Sequence, residues 1–434
     1  MAEAKPPTRP RRFSISLRTL MIAVLVIGGL IGWPVNRART QRRAVEVVRA
    51  AGGSILYDYQ EFPPNTLPFV IKAAKPPGPV WLRRWLGDEY FQEVTSVSFK
   101  GPVSAGTMAA VGAFDHLERL QVLNASPIGP NSIGPNSIIE GGLAALRGAT
   151  RLKNVILISS STTDTDLAIL AKNPDLKSIM LVGADVSDAG LAHLAGLRQL
   201  RYLTLSGTPK VTDLGVEKLA PVLSGLEGLK LEGTSVGDRS MATIGKLRNL
   251  ERLDLSRTRV TDDGLAQLSG LGSLKKLWLG DTAITDRGLA HFRGLKKLDQ
   301  FDLKNTAITD EGLAHLMGMT EMTHLNLAGT PITGEGFVHL EKLQKLLLLE
   351  LQGSKAHDAG MPHLARLASL NRLNLVEIQV SDQGLDRLRP LTTLCNVSTG
   401  SSQVTDAGFA AFRKAMPTVL YGSNQPGPRT PSNP

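Results

Sequence analysis

The sequence predicts an α/β fold: a solenoid in which a strand and a short helix recur, the strands forming a curved parallel sheet and the helices lying on its convex side, preceded by one transmembrane helix. Three observations predict it. Leucine returns at short regular intervals through most of the 434 residues. An acidic residue followed two positions later by Gly keeps an almost constant phase over more than 260 residues. Near the N-terminus, eighteen consecutive residues carry no charge.

The N-terminal element comes first. Between Arg18 and Arg37 the chain reads TLMIAVLVIGGLIGWPVN. In a helix, eighteen residues at about 1.5 Å each span about 27 Å, the thickness of a thin bilayer if the flanking arginines extend to the headgroups. Trp33 suits an interfacial anchor, and Pro34 is expected to stop the helix. A cleaved signal peptide shares the basic start and short apolar core, but Gly32-Trp33-Pro34-Val35-Asn36-Arg37 offers no small-x-small cleavage site. A buried soluble helix is the third reading, and arginines on both sides speak against it. We therefore expect a basic tail over 1–18 and a transmembrane helix or signal-anchor over 19–36. Gly28 and Gly32 have the spacing of a helix-dimer face, a weak signal in any Gly-containing span. Five basic residues precede the span and five follow it within the first fifty, so charge does not orient it. The repeats are expected on the non-cytosolic side, as for many signal-anchors near a chain start.

The formal charge of +10 has the same origin. Residues 1–50 contribute ten Lys and Arg against Glu3 and Glu46, and the remaining 384 residues are nearly balanced, 39 basic to 37 acidic. The solenoid is not a basic body, which argues against a nucleic-acid partner. The lone Cys395 excludes an intrachain disulfide and a cysteine-cluster metal site.

A juxtamembrane helix and N-terminal cap are expected over 37–92. Residues 40–51 are amphipathic and helical in pattern, GGSILYDYQ reads as a strand, and PPN and KPPGP mark loops. WLRRWLGDEYFQ and VTSVSF follow as helix and strand, with Trp81, Trp85, Tyr90 and Phe91 suited to covering the first repeat's open core. A small binding module is the alternative there.

The solenoid is expected over 93–416, its regular unit shown by LERLDLSRTRVTDDGLAQLSG, LKKLWLGDTAITDRGLAHFRG and LDQFDLKNTAITDEGLAHLMG. An acidic or equivalent position recurs at 140, 164, 188, 213, 238, 262, 286, 310, 334, 358, 382 and 406, and two residues beyond it ten of the twelve positions are Gly, the exceptions being Asp166 and Ser240. Leu274, Leu277 and Leu279 alternate as a strand with one apolar side. Thr285 and Asp286 can cap the helix that follows, where Asp suits the positive end of the dipole. Gly288 is expected to let the helix approach the sheet, with Leu289 and Phe292 facing inward. One unit cannot cover its own apolar side, so the units stack. The duplicated IGPNS at 128–137 reads as a loop insertion, and 417–434 as a disordered tail.

These letters resemble the leucine-rich repeats from about 93 to 416, and the T-D-x-G-L-x-x-L half is similar to the cysteine-containing subtype of ubiquitin-ligase substrate-recruiting subunits and related bacterial proteins. The resemblance implies a leucine-rich-repeat solenoid. Where that subtype has Cys or Asn after the strand, this chain has Thr208, Thr234, Thr258, Thr282, Thr306, Thr330 and Ser354, a hydroxyl ladder that can satisfy turn amides. No F-box-like segment is evident, which removes the basis for a ubiquitin-ligase role. With R-F-S-I-S-L-R-T-L before the span and GGSILYDYQ after it, the layout also resembles bacterial single-span repeat proteins of unassigned role.

Five histidines share one repeat position: His193, His291, His315, His339 and His363. Zinc needs nitrogens about 2.0–2.1 Å from one ion, whereas neighbouring helices pack roughly 8–10 Å apart, so repeat drift explains the pattern better. The recurrent Asp suggests calcium, but its cap position favours a structural role. No nucleophile elbow, phosphate loop, H-E-x-x-H or dinucleotide fingerprint occurs. We therefore expect no enzyme activity and assign no catalytic, cofactor or metal residues.

Individuality lies at the strand positions free of core duty, of which Tyr202, Lys230, Arg252, Asp254, Lys276, Trp278, Asp302, His324, Glu350 and Arg372 are the candidate partner-binding residues. Mixed charge around an isolated Trp suits a protein or peptide partner, with Trp278 as anchor between Arg252, Lys276 and Asp302. The competing class is a structural or self-associating envelope spacer without a dedicated ligand.

Overall fold

Each L-x-x-L-x-L run folds as a short strand. Leu277 is buried between Lys276 and Trp278, which are each half exposed, so alternation sends leucine into the molecule and its neighbours out of it. The computed structural model describes residues 17–60, 77–86, 88–123, 141–158, 161–419 and 421–423. Among these, fifteen strands make one sheet in chain order. They are β1 (Ser54–Tyr57), β2 (Val94–Phe99), β3 (Arg119–Val122), β4 (Asn154–Ile158), β5 (Ser178–Val182), β6 (Tyr202–Ser206), β7 (Gly228–Lys230) and β8 (Arg252–Asp254). Then come β9 (Lys276–Trp278), β10 (Gln300–Asp302), β11 (His324–Asn326), β12 (Leu348–Glu350), β13 (Arg372–Asn374), β14 (Asn396–Ser398) and β15 (Tyr421–Ser423). β1 is antiparallel to β2 and the rest are parallel, without stagger in the regular repeats: Asp302 faces Trp278 on one side and Asn326 on the other.

Behind the sheet the repeats return through short helices, some of a single turn, such as Asp286–Leu289 followed by the 3-10 turn Ala290–Phe292. Leu274, Leu277, Leu279, Ile284, Leu289 and Phe292 are all buried. Burying one such side chain contributes about 1.5–3 kcal/mol relative to leaving it exposed, and only stacked neighbours provide the burial.

Two further hydrogen-bond ladders join the repeats. At the turn after each strand from β5 to β14, one residue takes positive φ. It is Gly at 183, 207, 233, 329 and 353, but Arg257, Asp281, Asn305, Glu377 and Ser401 elsewhere, with φ between 53° and 59° in these five. The N–H groups of Arg257, Asp281 and Asn305 each donate at 2.8 Å to a carbonyl of the next repeat, Gly280, Lys304 and Ala328 respectively. These bonds hold a conformation that disfavours side chains by about 1–3 kcal/mol.

The second ladder corrects the reading of the repeat Asp. Thr285 caps its own helix, accepting the Arg287 N–H, but Asp262 reaches forward into the following unit. Its Oδ1 accepts the Thr285 N–H at 2.8 Å and its Oδ2 the Thr285 hydroxyl at 2.6 Å. Asp164, Asp188, Asp238, Asp286, Asp358 and Asp382 hold Ser187, Thr212, Thr261, Thr309, Ser381 and Thr405 in the same way. Gly288 therefore serves helix-to-helix rather than helix-to-sheet approach, since a Cβ there would overlap Asp262 Oδ1. Where Ser240 replaces that Gly, its hydroxyl donates to Asp213. The hydroxyl ladder is corrected too: Thr208, Thr234, Thr258, Thr282, Thr306 and Thr330 donate to the carbonyl three residues back instead of receiving turn amides. Only Ser354 accepts an amide, that of Ala356 at 3.4 Å.

The N-terminal cap is built on α1 (Leu17–Ala50), which runs through Pro34 instead of stopping there. Proline removes one N–H and crowds the carbonyl four residues earlier, but the turns beyond it are held by the cap. Arg37 pairs with Glu93 at 2.8 Å and Asp115 at 3.0 Å, Gln41 donates to the Gln92 carbonyl, and Val45 and Val48 join the core. α2 (Val80–Leu86) and α3 (Ala105–Val111) complete the end. The apolar stretch falls on the first turns of α1, where the side chains of Leu17, Thr19, Ala23 and residues 27–31 lie outside the described residues. Among the described residues no helix is long and apolar enough to cross a membrane, so the span expected over 19–36 is not met by them. The IGPNS repeat lies outside the described residues. The tail needs one correction: Tyr421–Ser423 pair with Asn396–Ser398 as the last strand, because the edge of β14 offers unpaired backbone groups.

Candidate functional site

The open face of the sheet carries side chains in two columns. Tyr202, Gly228, Arg252, Lys276, Gln300, His324, Leu348, Arg372 and Asn396 align in register along the first, and Thr204, Lys230, Asp254, Trp278, Asp302, Asn326, Glu350, Asn374 and Ser398 along the second. The ten predicted site residues thus share one face but divide between columns, with Tyr202, Arg252, Lys276, His324 and Arg372 in one and Lys230, Asp254, Trp278, Asp302 and Glu350 in the other.

Trp278 is held mainly by Lys230, two strands away, whose Nζ stands 4.8 Å from the ring centroid. Asp254 lies between them, 7% exposed, with Oδ2 at 4.0 Å from the same ammonium. Asp302 flanks the ring on the other side. Burial raises its pKa above the ordinary carboxylate value, against the opposing pull of the Lys304 N–H and the Asn326 amide, which both donate to it. Burial likewise raises Glu232, with Asp254 adding repulsion. Of the three expected neighbours of Trp278, Lys276 shares its strand, Asp302 is beside it, and Arg252 instead stands over Tyr202, 5.9 Å from that ring.

Gly228 makes the Tyr202 arrangement. A Cβ there would meet the Tyr202 ring at 2.8 Å, so the ring lies across the glycine toward Arg252. The Tyr202 hydroxyl donates to Glu227 at 2.6 Å, and that bond, followed by burial, raises its pKa. Sequence reasoning missed Gly228 and Leu348 as face positions. A glycine inside a strand pattern was the available signal for the first; Leu348 carried none, because a leucine in a leucine-rich run reads as core.

The shared histidine position is not a single site. His315 Nδ1 faces Arg293, and burial together with that guanidinium lowers the His315 pKa. His363 Nδ1 lies 2.7 Å from Glu341, which also binds Arg366. Among the described residues no group of three or more His, Cys, Asp or Glu could hold a metal ion.

The chain belongs to the leucine-rich repeat proteins: residues 157–424 match the family described as leucine-rich repeat region. An internalin, inlF, from Listeria monocytogenes is similar in structure, with a TM-score of 0.57 and 22% identity, covering 76% of this chain and 86% of its own. A leucine-rich-repeat protein from Leptospira interrogans gives a TM-score of 0.50 at 16% identity, covering 75% of this chain and 89% of its own. These likenesses establish the fold, a solenoid with a long parallel sheet. No curated protein sequence matches the chain significantly. Proteins of this fold are generally non-enzymatic binding scaffolds.

Proposed function

We propose that this protein is a recognition scaffold held at a membrane, binding a protein or peptide partner across the open face of its sheet. The observation that carries the reading is Trp278: a half-exposed aromatic at mid-sheet, fixed by Lys230 and flanked by two carboxylates, in a column where no side chain is needed for stacking. Held aromatics lose little freedom on binding, which is what anchors of interfaces have in common. Attachment through α1 is supported by Leu20, Met21, Ile22, Val24, Leu25 and Val26, which are 50–72% exposed, whereas Val45 on the docked half of the same helix is 2% exposed. The repeats are proposed to stand on the non-cytosolic side.

A photoreactive amino acid in place of Gln300, in the full-length protein in cells, should crosslink the partner. Trp278→Ala should then weaken binding of the purified partner by about 2–4 kcal/mol, the range of an interface hot spot. Unchanged affinity would remove Trp278 from the interface. Protease access to a tag after Pro434, compared in intact and permeabilised cells, reads the membrane side.

A further inference from the structure

Carboxylates and cations on the open face are treated differently by their neighbours. In the Trp278 column Asp254 accepts the Ser256 N–H and faces Lys230, Asp302 has its two donors, and Glu350 accepts the Asn374 amide at 2.7 Å. Beside it, Arg252, Lys276 and Arg372 meet no carboxylate within 4 Å among the described residues, Arg252 having only the Tyr202 ring. The acids bordering this column are engaged elsewhere: Glu227 with the Tyr202 hydroxyl, Glu251 with Lys275 at 2.7 Å, and Glu232 with Arg257 at 3.8 Å. Asp299 turns one carboxylate oxygen into the protein, where no described donor meets it. The face is near charge balance as a whole, yet its first column presents unneutralised cations alone.

We infer that the partner presents an acidic, extended segment that crosses the strands along Arg252, Lys276, His324 and Arg372. From β8 to β13 are five strand steps of about 4.8 Å, roughly 24 Å, which an extended segment of about seven residues covers. Half-buried Leu348 gives it an apolar seat between His324 and Arg372, and Trp278 adjoins it in the next column. Charge complementarity of this kind selects the partner and speeds its arrival more than it adds affinity, so binding should weaken with salt.

This inference rests on the open-face reading and is separable from it. The test uses the full-length protein and two fluorescent nine-residue probes: one alternating glutamate with serine and leucine, the other with lysine in place of every glutamate. The glutamate probe should bind at low salt and the lysine probe at least tenfold more weakly. Arg252→Gln with Lys276→Gln should weaken the glutamate probe at least tenfold and flatten its salt dependence, while Arg239→Gln, on a helix behind the sheet, should leave it unchanged. Circular dichroism melts of each variant establish that the fold is kept. Equal or tighter binding of the lysine probe, no binding of either, or indifference to the double substitution would overturn the acidic-segment inference. So would a partner crosslinked at position 300 whose contacting segment is neutral or basic, and that result would leave the open-face reading standing. Absence of any crosslink at position 300 together with a silent probe would remove both.

Discussion

Two junctions between repeats, made from nearly the same letters, are held in different ways. Where the unit of Asp262 meets the unit of Thr285, a carboxylate takes both an N–H and a hydroxyl across the gap, and Gly288 leaves room for it. Three units further on, Gly334 stands in the position of that Asp, with φ at 104°. His357, in the place of the cap Thr, donates its N–H to the Thr333 carbonyl at 3.1 Å, and a Cβ on Gly360 would meet the Phe337 ring and the Gly334 backbone instead of a carboxylate. Asp310, just before the break, gathers the N–H groups of Thr333, Gly334 and Gly336 and the Thr333 hydroxyl. The difference teaches that a junction requires an acceptor for the incoming N–H but not a carboxylate as such; opposite it stands either a residue without Cβ or, as at Ser240, one whose side chain donates to the carboxylate.

The comparison is broken most severely by Gly288→Ala. The added methyl overlaps Asp262 Oδ1 and crowds Leu265, so overpacking and loss of one ladder step combine to about 3 kcal/mol by denaturant unfolding. In an Asp262→Ala background the same change should cost clearly less, since the overlapping group is gone; equal costs in both backgrounds would contradict the account. Next comes Asp286→Ala, which strands the N–H and hydroxyl of Thr309 and should destabilise by about 2 kcal/mol, with Asp286→Asn recovering at least half because its amide oxygen still accepts. An Asn variant as weak as Ala would show that charge, not acceptance, is what the junction uses.

The smallest expected effect is a pH dependence at Asp310. Burial works to raise its pKa, but the donors on Thr333, Gly336 and Gly334 prevail and hold it below the ordinary 3.8. A carboxylate whose folded pKa is depressed lends stability that is complete above its unfolded value and is lost as pH falls through the folded one. Unfolding midpoints measured from pH 5 downward should therefore fall more steeply for the natural chain than for Asp310→Asn. Parallel curves would remove Asp310 from the acid sensitivity.

The period made the strands, the buried leucines and the helix starts legible, because each letter of the unit meets the same environment in every repeat. It did not reveal which neighbour a letter serves. Asp286 reads as a cap within its own unit, and only the Gly twenty-six residues later, at 312, signals that its carboxylate enters the next one. On the open face, alternation found Lys276 and Trp278, but the Lys230 to Trp278 contact spans two strands and depends on side-chain length rather than order. Pro34 misled for a different reason. A local rule ends the helix there, and the bonds of Arg37 and Gln41 to residues some fifty positions away override it.

The register of the sheet has a consequence for how the molecule can vary. From Gln300 to Arg372 each unit advances 24 residues in sequence and one strand in space, about 4.8 Å. Distance across the open face is therefore counted in whole units. Removing one complete unit shortens the separation of two side chains on opposite sides of the cut by a single fixed step and leaves both pointing outward. A partner lying across this face, as proposed, would be measured on the same ruler as repeat number, and one of new length would be met by adding or deleting units without redesigning any of them.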